Sequence, residues 1–532
     1  MRVAVYNRFW STAGGGEKVA AGIAEVLARG HDVTLLSTEP IELAWLGERL
    51  QVDLSGVAVE ILDGREPAAV ALASEAYDLL VNASYTSHDP SHAAHGIYFV
   101  HFPSDPAFLP SLPRRALLSV TARAARALDV DLAGYHWRRG VYASESVGVL
   151  GRRIRRAVRW TNGEAELELR LPPREETRVE LLLARLVPPG GAPVPAQVFL
   201  EGELAAETEL RPPRSKLDRR PARLAFTAAA PASGRVRVEL RSPAWAPAEA
   251  GGGADERRLG VPVIDVVVGG RRAHTLAALN RQVAYPGQSL EFLETYDRVV
   301  SNSEYTRSWV RELWGRDTGV LNPPVTPQPR EAKTNTILSV GRFFDRTGGH
   351  SKKQLELVGA FRRLVERGVT GWTYHLVGGC APKDRAYLDE VRGAAEGLPV
   401  ELHVDAEGAE LRRLYGQAAI YWHATGLGED DRLHPERFEH FGITTAEAMS
   451  AGAVPVVIGR AGQLEMLRDG IEGFHFADLD QLVARTETLV RNPALRSRMA
   501  DAAALRAADY GPAAFAERLE ALVADATRAA RR

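Results

Sequence analysis

Two stretches of this chain alternate short apolar runs with helical patterns, and a long stretch between them does not. Near the beginning, an apolar run at 3–6 is followed by a glycine-rich turn, a helical pattern that ends near residue 27 and a second apolar run at 31–36. The same alternation resumes at residue 337 and continues through the apolar run at 454–457. Strand, turn, helix and strand in this order are typical of a doubly wound parallel sheet, so we predict two such domains.

The stretch between these domains has a different periodicity. Short segments at 166–171, 178–183, 197–200 and 235–240 alternate apolar with polar residues, and Pro- or Gly-rich bends separate them. A period of two with frequent turns predicts an all-β sandwich, here inserted into the first α/β domain. The expected units are a first domain formed by 1–157 and 273–328, a β-module at 158–272, a second domain at 329–510, and a C-terminal helix at 511–532 that packs back across both lobes.

The composition excludes several classes of protein. The chain has 532 residues, of which 45% are hydrophobic and 25% charged, as in folded globular proteins. Its formal net charge of −2 provides no overall positive field for nucleic acid, so no nucleic-acid partner is expected. The single cysteine, Cys380, cannot form a disulfide within the chain, and no run approaches the roughly 18 apolar residues of a membrane span. We therefore expect a cytoplasmic protein.

Two carboxylates eight residues apart flank the start of a predicted helix in the second domain. Glu439 precedes Gly442 in a loop, and Glu447 lies one turn inside the helix, which Gly452 ends. A helix N-terminus carries free N–H groups and a partial positive charge that suit a diphosphate, and nearby carboxylates can accept hydrogen bonds from sugar hydroxyls. The alternative is that Thr444 and Glu447 form only a capping box. The flanking residues favour a ligand site.

Cationic side chains follow another predicted strand of the same domain. Arg342 comes after the apolar run at 337–340, and Lys352 and Lys353 precede a helical pattern that begins at residue 354. Only six of the 66 basic residues are lysines. Two adjacent lysines here therefore suggest that arginine could not replace lysine at this position. Arginine offers a planar fork to phosphate oxygens, and lysine offers a mobile point charge. We predict a phosphate site, with a solvated helix start as the alternative.

The first domain contributes a glycine-rich turn and polar residues at strand ends. Gly15 and Gly16 allow the backbone to approach a ligand closely, because glycine has no Cβ. A histidine at the end of a strand is more often structural than catalytic, and both roles are open on the residues alone. The polar candidates of this domain are Lys18, Asn82, Tyr85 and His101.

The segment 439–457 resembles the family 4 glycosyltransferases of the GT-B fold. In that family a Glu, seven residues and a second Glu are followed by Ala-Met, a Gly and a Pro-Val-Val strand, and each element occurs here. The resemblance covers residues 1–157 and 273–515 and leaves the β-module outside. It implies an α/β protein with two doubly wound, Rossmann-like domains facing a cleft, and an all-β sandwich insertion in the first.

The resemblance also implies roles for the candidate residues. Glu439 would contact the donor sugar, Glu447 the nucleotide ribose, and Arg342 and Lys352 the leaving diphosphate. Lys353 stands where the family often has Gly, so the choice between the two lysines stays open. The implied catalytic residues are His101 and Glu439. The implied donor-binding residues are Gly15, Gly16, Arg342, Lys352, Lys353, Phe441, Gly442, Ile443, Thr444 and Glu447, and the acceptor-side candidates are Lys18, Asn82 and Tyr85.

The activity implied by this resemblance is transfer of a hexose, with retention of configuration, from a GDP- or UDP-sugar to a hydroxyl of a lipid-linked glycan or polysaccharide. The residues look most like the branch of dolichol-linked α1,2-mannosyltransferases and bacterial polysaccharide enzymes. The alternatives are a non-catalytic carbohydrate-binding or scaffold protein that acts through the β-module, and a sugar epimerase or phosphorylase of the same fold. The nucleotide sugar is a substrate, so no cofactor is expected, and we predict no metal because no cluster of His, Cys and Asp has metal-ligand spacing.

One segment carries a concentrated positive charge. Between residues 111 and 160 there are eleven arginines and three acidic residues. Such a patch with interleaved apolar residues suits peripheral contact with the anionic inner face of a membrane. A solvated basic face explains the same residues equally well.

Overall fold

The computed structural model describes residues 1–63, 69–103, 135–142, 145–148, 155–213, 220–248, 257–272, 290–314, 316–344 and 351–528. The strands of these residues are, in chain order, β1 (Arg2–Tyr6), β2 (Asp32–Ser37), β3 (Val57–Ile61), β4 (Leu79–Asn82), β5 (His95–Val100), β6 (Tyr135–Val141), β7 (Glu145–Gly148), β8 (Arg155–Arg170), β9 (Glu176–Leu183), β10 (Val194–Leu200), β11 (Glu203–Leu210), β12 (Ala222–Ala229), β13 (Arg235–Arg241), β14 (Pro262–Val268), β15 (Arg271–Arg272), β16 (Arg298–Ser301), β17 (Gly319–Val320), β18 (Thr336–Val340), β19 (Thr373–Gly378), β20 (Val400–Val404), β21 (Ile420–His423), β22 (Val454–Ile458) and β23 (Phe474–Phe476).

The helices of the same residues are α1 (Gly15–Ala28), α2 (Leu43–Leu50), α3 (Ala69–Ser74), α4 (Glu304–Trp314), α5 (Gln354–Glu366), α6 (Arg385–Ala395), α7 (Gly408–Gln417), α8 (Ile443–Ser450), α9 (Gln463–Met466), α10 (Leu479–Arg491), α11 (Pro493–Ala507) and α12 (Pro512–Arg528). Within the described part of the chain, no helix combines the length and apolar character needed to cross a bilayer.

The first lobe is built on a parallel sheet with the strand order β17-β16-β5-β4-β1-β2-β3 in the described residues. Apart from the exposed Arg2 at the start of β1, the residues of the central strands β1 and β4 are buried, which explains their apolar sequence. β16 pairs in parallel with β5, although about 200 residues separate them in the chain. The polypeptide therefore leaves this sheet after β5 and returns to it at β16, which makes the intervening β-module an insertion.

The second lobe is a separate parallel sheet with the order β20-β19-β18-β21-β22-β23. The strands alternate with helices along the chain, and α5 begins at residue 354, as the helical pattern predicts. A hydrophobic cluster that includes Phe361, Tyr374 and Trp422 joins α5 to β19 and β21. The carboxyl ends of these strands are where ligands bind in open α/β sheets.

The β-module is antiparallel, and the long strand β8 joins its two halves. The later part of β8 pairs with β6 along one edge and with β13 along the other. The beginning of β8 pairs with β14, and the sheet continues from β14 to β9 and β12. The strands of the module start at Tyr135, upstream of the expected boundary at 158. The adjacent Arg138 and Arg139 interrupt the apolar alternation of β6, which is why the pattern does not reveal it.

The C-terminal helix α12 packs on the first lobe. Phe515, Leu519 and Val523 belong to the hydrophobic cluster that includes β1 and α1, and Asp525 forms an ion pair of 2.6 Å with Arg298. The preceding helix α11 packs instead against α8 and β22 of the second lobe. The chain thus crosses from the second lobe to the first between α11 and α12.

Candidate functional site

Two direct contacts join the lobes beside the acidic pair. The Lys18 ammonium, from α1 of the first lobe, donates a hydrogen bond of 2.6 Å to Glu447 Oε1 of the second. The Phe102 ring, just after β5, stacks on the His440 ring at a centroid distance of 4.1 Å and an angle of 10°. Because His101 and Glu439 are the chain neighbours of these two stacked residues, the contacts bring the predicted catalytic residues to the same region between the lobes.

Glu439 is held by two partners from different elements. Its Oε2 accepts hydrogen bonds from Lys352 Nζ at 2.7 Å and from His423 Nε2 at 3.0 Å. Burial alone would raise the pKa of the Glu439 carboxyl, but the Lys352 ammonium and the His423 hydrogen bond hold that pKa well below its usual range. Burial also lowers the pKa of His423, so a neutral imidazole donates to the ionised carboxylate.

Glu447 lies one turn inside α8 and is only 7% exposed. Its Oε1 accepts from Lys18, and its Oε2 accepts from the Tyr415 hydroxyl at 3.0 Å. A capping-box glutamate would instead bond to the backbone of the residue before the helix. The side chain of Glu447 therefore has bonding partners that a capping box does not explain.

The start of α8 depends on Gly442. This residue adopts φ 109°, and a Cβ added there would lie 2.6 Å from Gln463 Nε2. In the described residues no side chain caps this helix, so its first N–H groups have no side-chain acceptor. The Thr444 hydroxyl accepts from Tyr421 OH at 2.8 Å.

The resemblance places Phe441 among the donor-binding residues, whereas the structure places its side chain in the core. It is 4% exposed, and its ring lies edge-on to Tyr510 at 5.2 Å. Its contribution is thus to hold the loop between Glu439 and α8 against the rest of the second lobe.

The two adjacent lysines point to different acids. Lys352 bonds to Glu439, whereas Lys353 is 8% exposed and bonds to Glu429 at 2.7 Å. Lys353 has a left-handed backbone (φ 58°) immediately before α5, and this turn separates the two side chains. Lys352 therefore lies with the predicted donor residues, and Lys353 ties the start of α5 to the loop after β21.

The remaining cation of this group is exposed. The guanidinium of Arg342 follows β18 and lies 5.9 Å from the Phe344 ring centroid. Gly341, just before it, allows Lys352 to cross the strand end, since a Cβ at Gly341 would lie 2.7 Å from Lys352 Cγ.

The glycine-rich turn of the first lobe packs against both candidate regions. A Cβ on Gly15 would lie 3.5 Å from Ile443 Cδ1 of α8, and a Cβ on Gly16 would lie 3.5 Å from His101 Cε1. His101 Nε2 is 2.7 Å from the Ala83 carbonyl, which can only accept, so this nitrogen carries the proton. Burial lowers the pKa of His101, and the neutral ring keeps a lone pair on Nδ1.

Of the acceptor-side candidates at the strand end, Asn82 is not presented to the cleft. Its side chain is 0% exposed and donates hydrogen bonds of 2.9 Å to Ser87 Oγ and Tyr296 OH. These bonds use both amide hydrogens of Asn82 and hold the loop after β4. The side chain of Asn82 therefore stabilises the interior of the first lobe. Tyr85 is 37% exposed and packs edge-on to His101 at 6.4 Å.

Several residues of this region are not among the candidates predicted from the sequence. His423 and Tyr415 bond to the two acids, and Phe102 and His440 join the lobes. His423 ends the apolar strand β21. His101 was a candidate because it lies at the end of a strand, and the same criterion would have identified His423. Tyr415 carried no such signal, because its contact with Glu447 depends on how α7 packs against α8.

Two further predictions concern residues outside the cleft. The sequence predicts no metal site, yet the ligand atoms of His375, Glu401 and His403 all lie within 4.8 Å of one another on β19 and β20. Most of the arginine-rich segment 111–160 lies outside the described residues. One described member, Arg138, bonds to Glu168 at 2.9 Å.

Comparisons with known proteins bear on the second lobe and on the fold. Residues 326–506 match the family "Glycosyl transferases group 1". The chain is 38% identical to sucrose synthase of Acidithiobacillus caldus over 254 residues, which cover 44% of this chain and 30% of that protein. It is 26% identical to the GDP-Man:Man(3)GlcNAc(2)-PP-Dol alpha-1,2-mannosyltransferase of Dictyostelium discoideum over 195 residues, covering 31% and 35%. The match thus spans about a third of the length of these curated relatives.

Two solved structures resemble almost the whole chain. HepE of Anabaena, crystallised with UDP and glucose, superposes with a TM-score of 0.51 at 11% identity, covering 99% of this chain and 100% of that one. Sucrose-phosphate synthase of Thermosynechococcus elongatus gives a TM-score of 0.50 at 14% identity, with the same coverage. Together with the two parallel sheets, these similarities confirm the predicted GT-B fold.

Proposed function

We propose that this protein is a glycosyltransferase that moves a sugar from a nucleotide diphosphate sugar to a hydroxyl group. The observation that carries the proposal is the pairing of Glu439 and Glu447 with Lys352 and Lys18 around the start of α8, at the junction of the lobes. The segment that matches the glycosyltransferase family contains both acids and Lys352, which supports the proposal.

Each charged group of this site has a counterpart in such a donor. Sugar and ribose hydroxyls can donate hydrogen bonds to the carboxylates of Glu439 and Glu447. The diphosphate oxygens can accept hydrogen bonds from Lys352 and from the N–H groups at the start of α8. Donor binding would thus replace the internal ion pairs with bonds to the ligand. Cations and N–H groups held in advance at the leaving diphosphate stabilise the charge that develops as the glycosidic bond breaks.

We further propose that the reaction is of the family 4 type, retains anomeric configuration and uses no metal, with Glu439 and His101 positioning the sugar. The donor is a GDP- or UDP-hexose, in line with the GDP-mannose enzyme among the relatives and the UDP complex among the similar structures. The acceptor is the hydroxyl of a lipid-linked glycan or a polysaccharide, and the basic segment 111–160 provides peripheral contact with an anionic membrane.

A panel of GDP- and UDP-sugars incubated with the purified chain in a chelating buffer tests this proposal. We expect at least one sugar to bind and to release its nucleotide, with transfer when a glycan acceptor is added. Glu439→Gln and Glu447→Gln should each lower the rate at least about 100-fold, because each loses a charge-assisted bond to the donor. Asp480→Asn, which changes an exposed carboxylate of the same lobe, should keep the wild-type rate.

Several outcomes would contradict the proposal. If a folded wild-type chain binds no nucleotide sugar, the donor site is wrong. Binding without any turnover would indicate a carbohydrate-binding protein, and full activity of Glu439→Gln would remove that residue from the donor site. Loss of activity in the chelator would contradict metal independence.

A further inference from the structure

We propose that His375, Glu401 and His403 form a zinc site at the edge of the second lobe. The site shares no residue with the cleft between the lobes and does not rest on the proposed function. The three residues come from two neighbouring parallel strands, and their ligand atoms lie within 4.8 Å of one another.

The strand register places the three side chains together. Glu401 of β20 is the direct partner of His375 of β19, and His403 lies two residues further along β20. Side chains two residues apart on a strand point to the same face, so all three project from one side of the sheet. The neighbouring Tyr374 and Leu376 of β19 point to the other side, into the core with α5.

The distances suit a small divalent cation. His375 Nδ1 lies 2.9 Å from His403 Nε2, and Glu401 Oε2 lies 3.7 Å from the first nitrogen and 3.8 Å from the second. A point equidistant from these three atoms is about 2.0 Å from each, which is the usual length of zinc bonds to histidine and carboxylate. Two imidazoles and one carboxylate, with a fourth position left for water, are a common zinc ligand set.

A second carboxylate orients one of the histidines. Glu410 of α7 lies 2.7 Å from His403 Nδ1, and because an ionised carboxylate only accepts, the ring proton is on Nδ1. The lone pair of His403 is therefore on Nε2, the nitrogen that faces His375. Histidines that bind metals are oriented in this way by a carboxylate on their other nitrogen.

The proton on His403 Nδ1 also explains how the rings of His375 and His403 can contact each other when no ion is bound. His375 Nδ1–H then donates to His403 Nε2, and the rings stack at 5.1 Å and 22°. When the ion binds, the proton of His375 moves to its Nε2 and both lone pairs face the metal. Glu401 is 60% exposed, so the ion has a path from solvent.

To test the proposal, the tag-free chain is first dialysed against a chelator and then titrated with metal ions. We expect one Zn²⁺ per chain by calorimetry, and Co²⁺ should give the visible absorption of a tetrahedral site. His375→Ala and His403→Ala should weaken binding at least about 100-fold, and Glu410→Gln by about 10- to 100-fold because it removes the orienting bond. His434→Ala, an exposed histidine outside the cluster, should bind like wild type.

Thermal melts provide a second readout. Zn²⁺ should raise the melting temperature of the wild type and of His434→Ala, but not of His403→Ala, since only a native site stabilises by binding. If a histidine variant fails to fold, the exposed Glu401→Gln provides the same comparison. The proposal is overturned if the folded wild type takes up no stoichiometric Zn²⁺, or if removal of His375 and His403 together leaves its affinity unchanged.

Discussion

At the scale of single residues, the cleft is organised by lysines that neutralise acids. Three of the six lysines bond to carboxylates of the second lobe, and the pairs are Lys18 with Glu447, Lys352 with Glu439, and Lys353 with Glu429. A lysine ammonium is compact and sits on a flexible stem, so it can exchange a carboxylate for a phosphate with little movement. Half of the few lysines in this sequence thus bond to acids of the second lobe.

The two adjacent lysines should respond differently to the same substitution. Lys352→Met should lower turnover of a nucleotide sugar at least about 100-fold, because it removes the cation next to Glu439. Lys353→Met should mainly lower the free energy of unfolding, by about 1 to 3 kcal/mol, since it breaks a largely buried ion pair while Arg437 stays at 3.0 Å from Glu429. Steady-state rates and urea denaturation measure the two effects, and equal losses of turnover would contradict the assignment.

The ion pairs of Glu439 also predict how stability depends on pH. The pKa of Glu439 in the folded chain lies well below its usual range, so the unfolded chain binds the proton more tightly. The stabilisation is therefore present above the unfolded pKa of about 4.3 and is lost as pH falls through the folded pKa. The difference in unfolding free energy between wild type and Glu439→Gln should stay constant from about pH 6 to 7 and fall below about pH 4. Urea denaturation across this range checks it, and a difference that grows on acidification would contradict it.

At the scale of elements, α8 positions the site. Its first turn begins at a glycine with a left-handed backbone, and its side chains include Thr444 and Glu447. The helix packs against α11 and against the strands β21 and β22. A shift of α8 would therefore move Glu447 and the free N–H groups relative to Lys18 at the same time.

Gly442→Ala should disturb this element specifically. The added Cβ meets Gln463 Nε2 at 2.6 Å and the backbone at φ 109° is strained for alanine, so we expect a loss of about 1 to 3 kcal/mol in stability and weaker donor binding. The matched control is Gly359→Ala inside α5, where a Cβ meets nothing within 4 Å. That change should be neutral or stabilise by up to about 1 kcal/mol, as expected for alanine in a helix. Denaturation and nucleotide-sugar titration compare the two variants, and equal behaviour would argue against a special role for Gly442.

At the scale of the whole molecule, the lobes are joined by more than the connecting chain. The carboxylate of Glu465, in the second lobe, accepts hydrogen bonds of 2.8 and 2.6 Å from the backbone N–H groups of Glu304 and Tyr305. These groups begin α4 of the first lobe, so an acid of one lobe caps a helix of the other. The bond between Tyr305 OH and the Pro435 carbonyl, 2.9 Å long, lies beside it.

Removal of this cap should weaken the contact between the lobes. Glu465→Ala leaves two N–H groups of α4 without their acceptor, so we expect a loss of about 1 to 2 kcal/mol and a larger radius of gyration without ligand. Small-angle scattering and denaturation measure these effects. Glu304→Gln is the control, because it changes a side chain that pairs with Arg307 and keeps the backbone N–H. Unchanged scattering by Glu465→Ala would show that the cap does not hold the lobes together.

Local patterns predicted much of the fold, and the failures have identifiable causes. The apolar runs predicted at 3–6 and 454–457 correspond to β1 and β22, and the helical pattern predicted to begin at residue 354 corresponds to α5. β6 was not predicted because two arginines interrupt its alternation of apolar and polar residues. β20 was not predicted because it is an edge strand whose residues are only partly buried, so its sequence lacks a continuous apolar run.

Periodicity and short spacings encode the two α/β lobes, the inserted β-module and the acidic pair around α8 locally, so these features can be predicted without a structure. The tertiary structure alone decided which partners these groups have. Lys18 and Glu447 are 429 positions apart, and the proposed zinc ligands come from two strands whose register no local pattern specifies. Such pairings depend on how sheets and helices pack, and that packing is a property of the whole chain rather than of any segment.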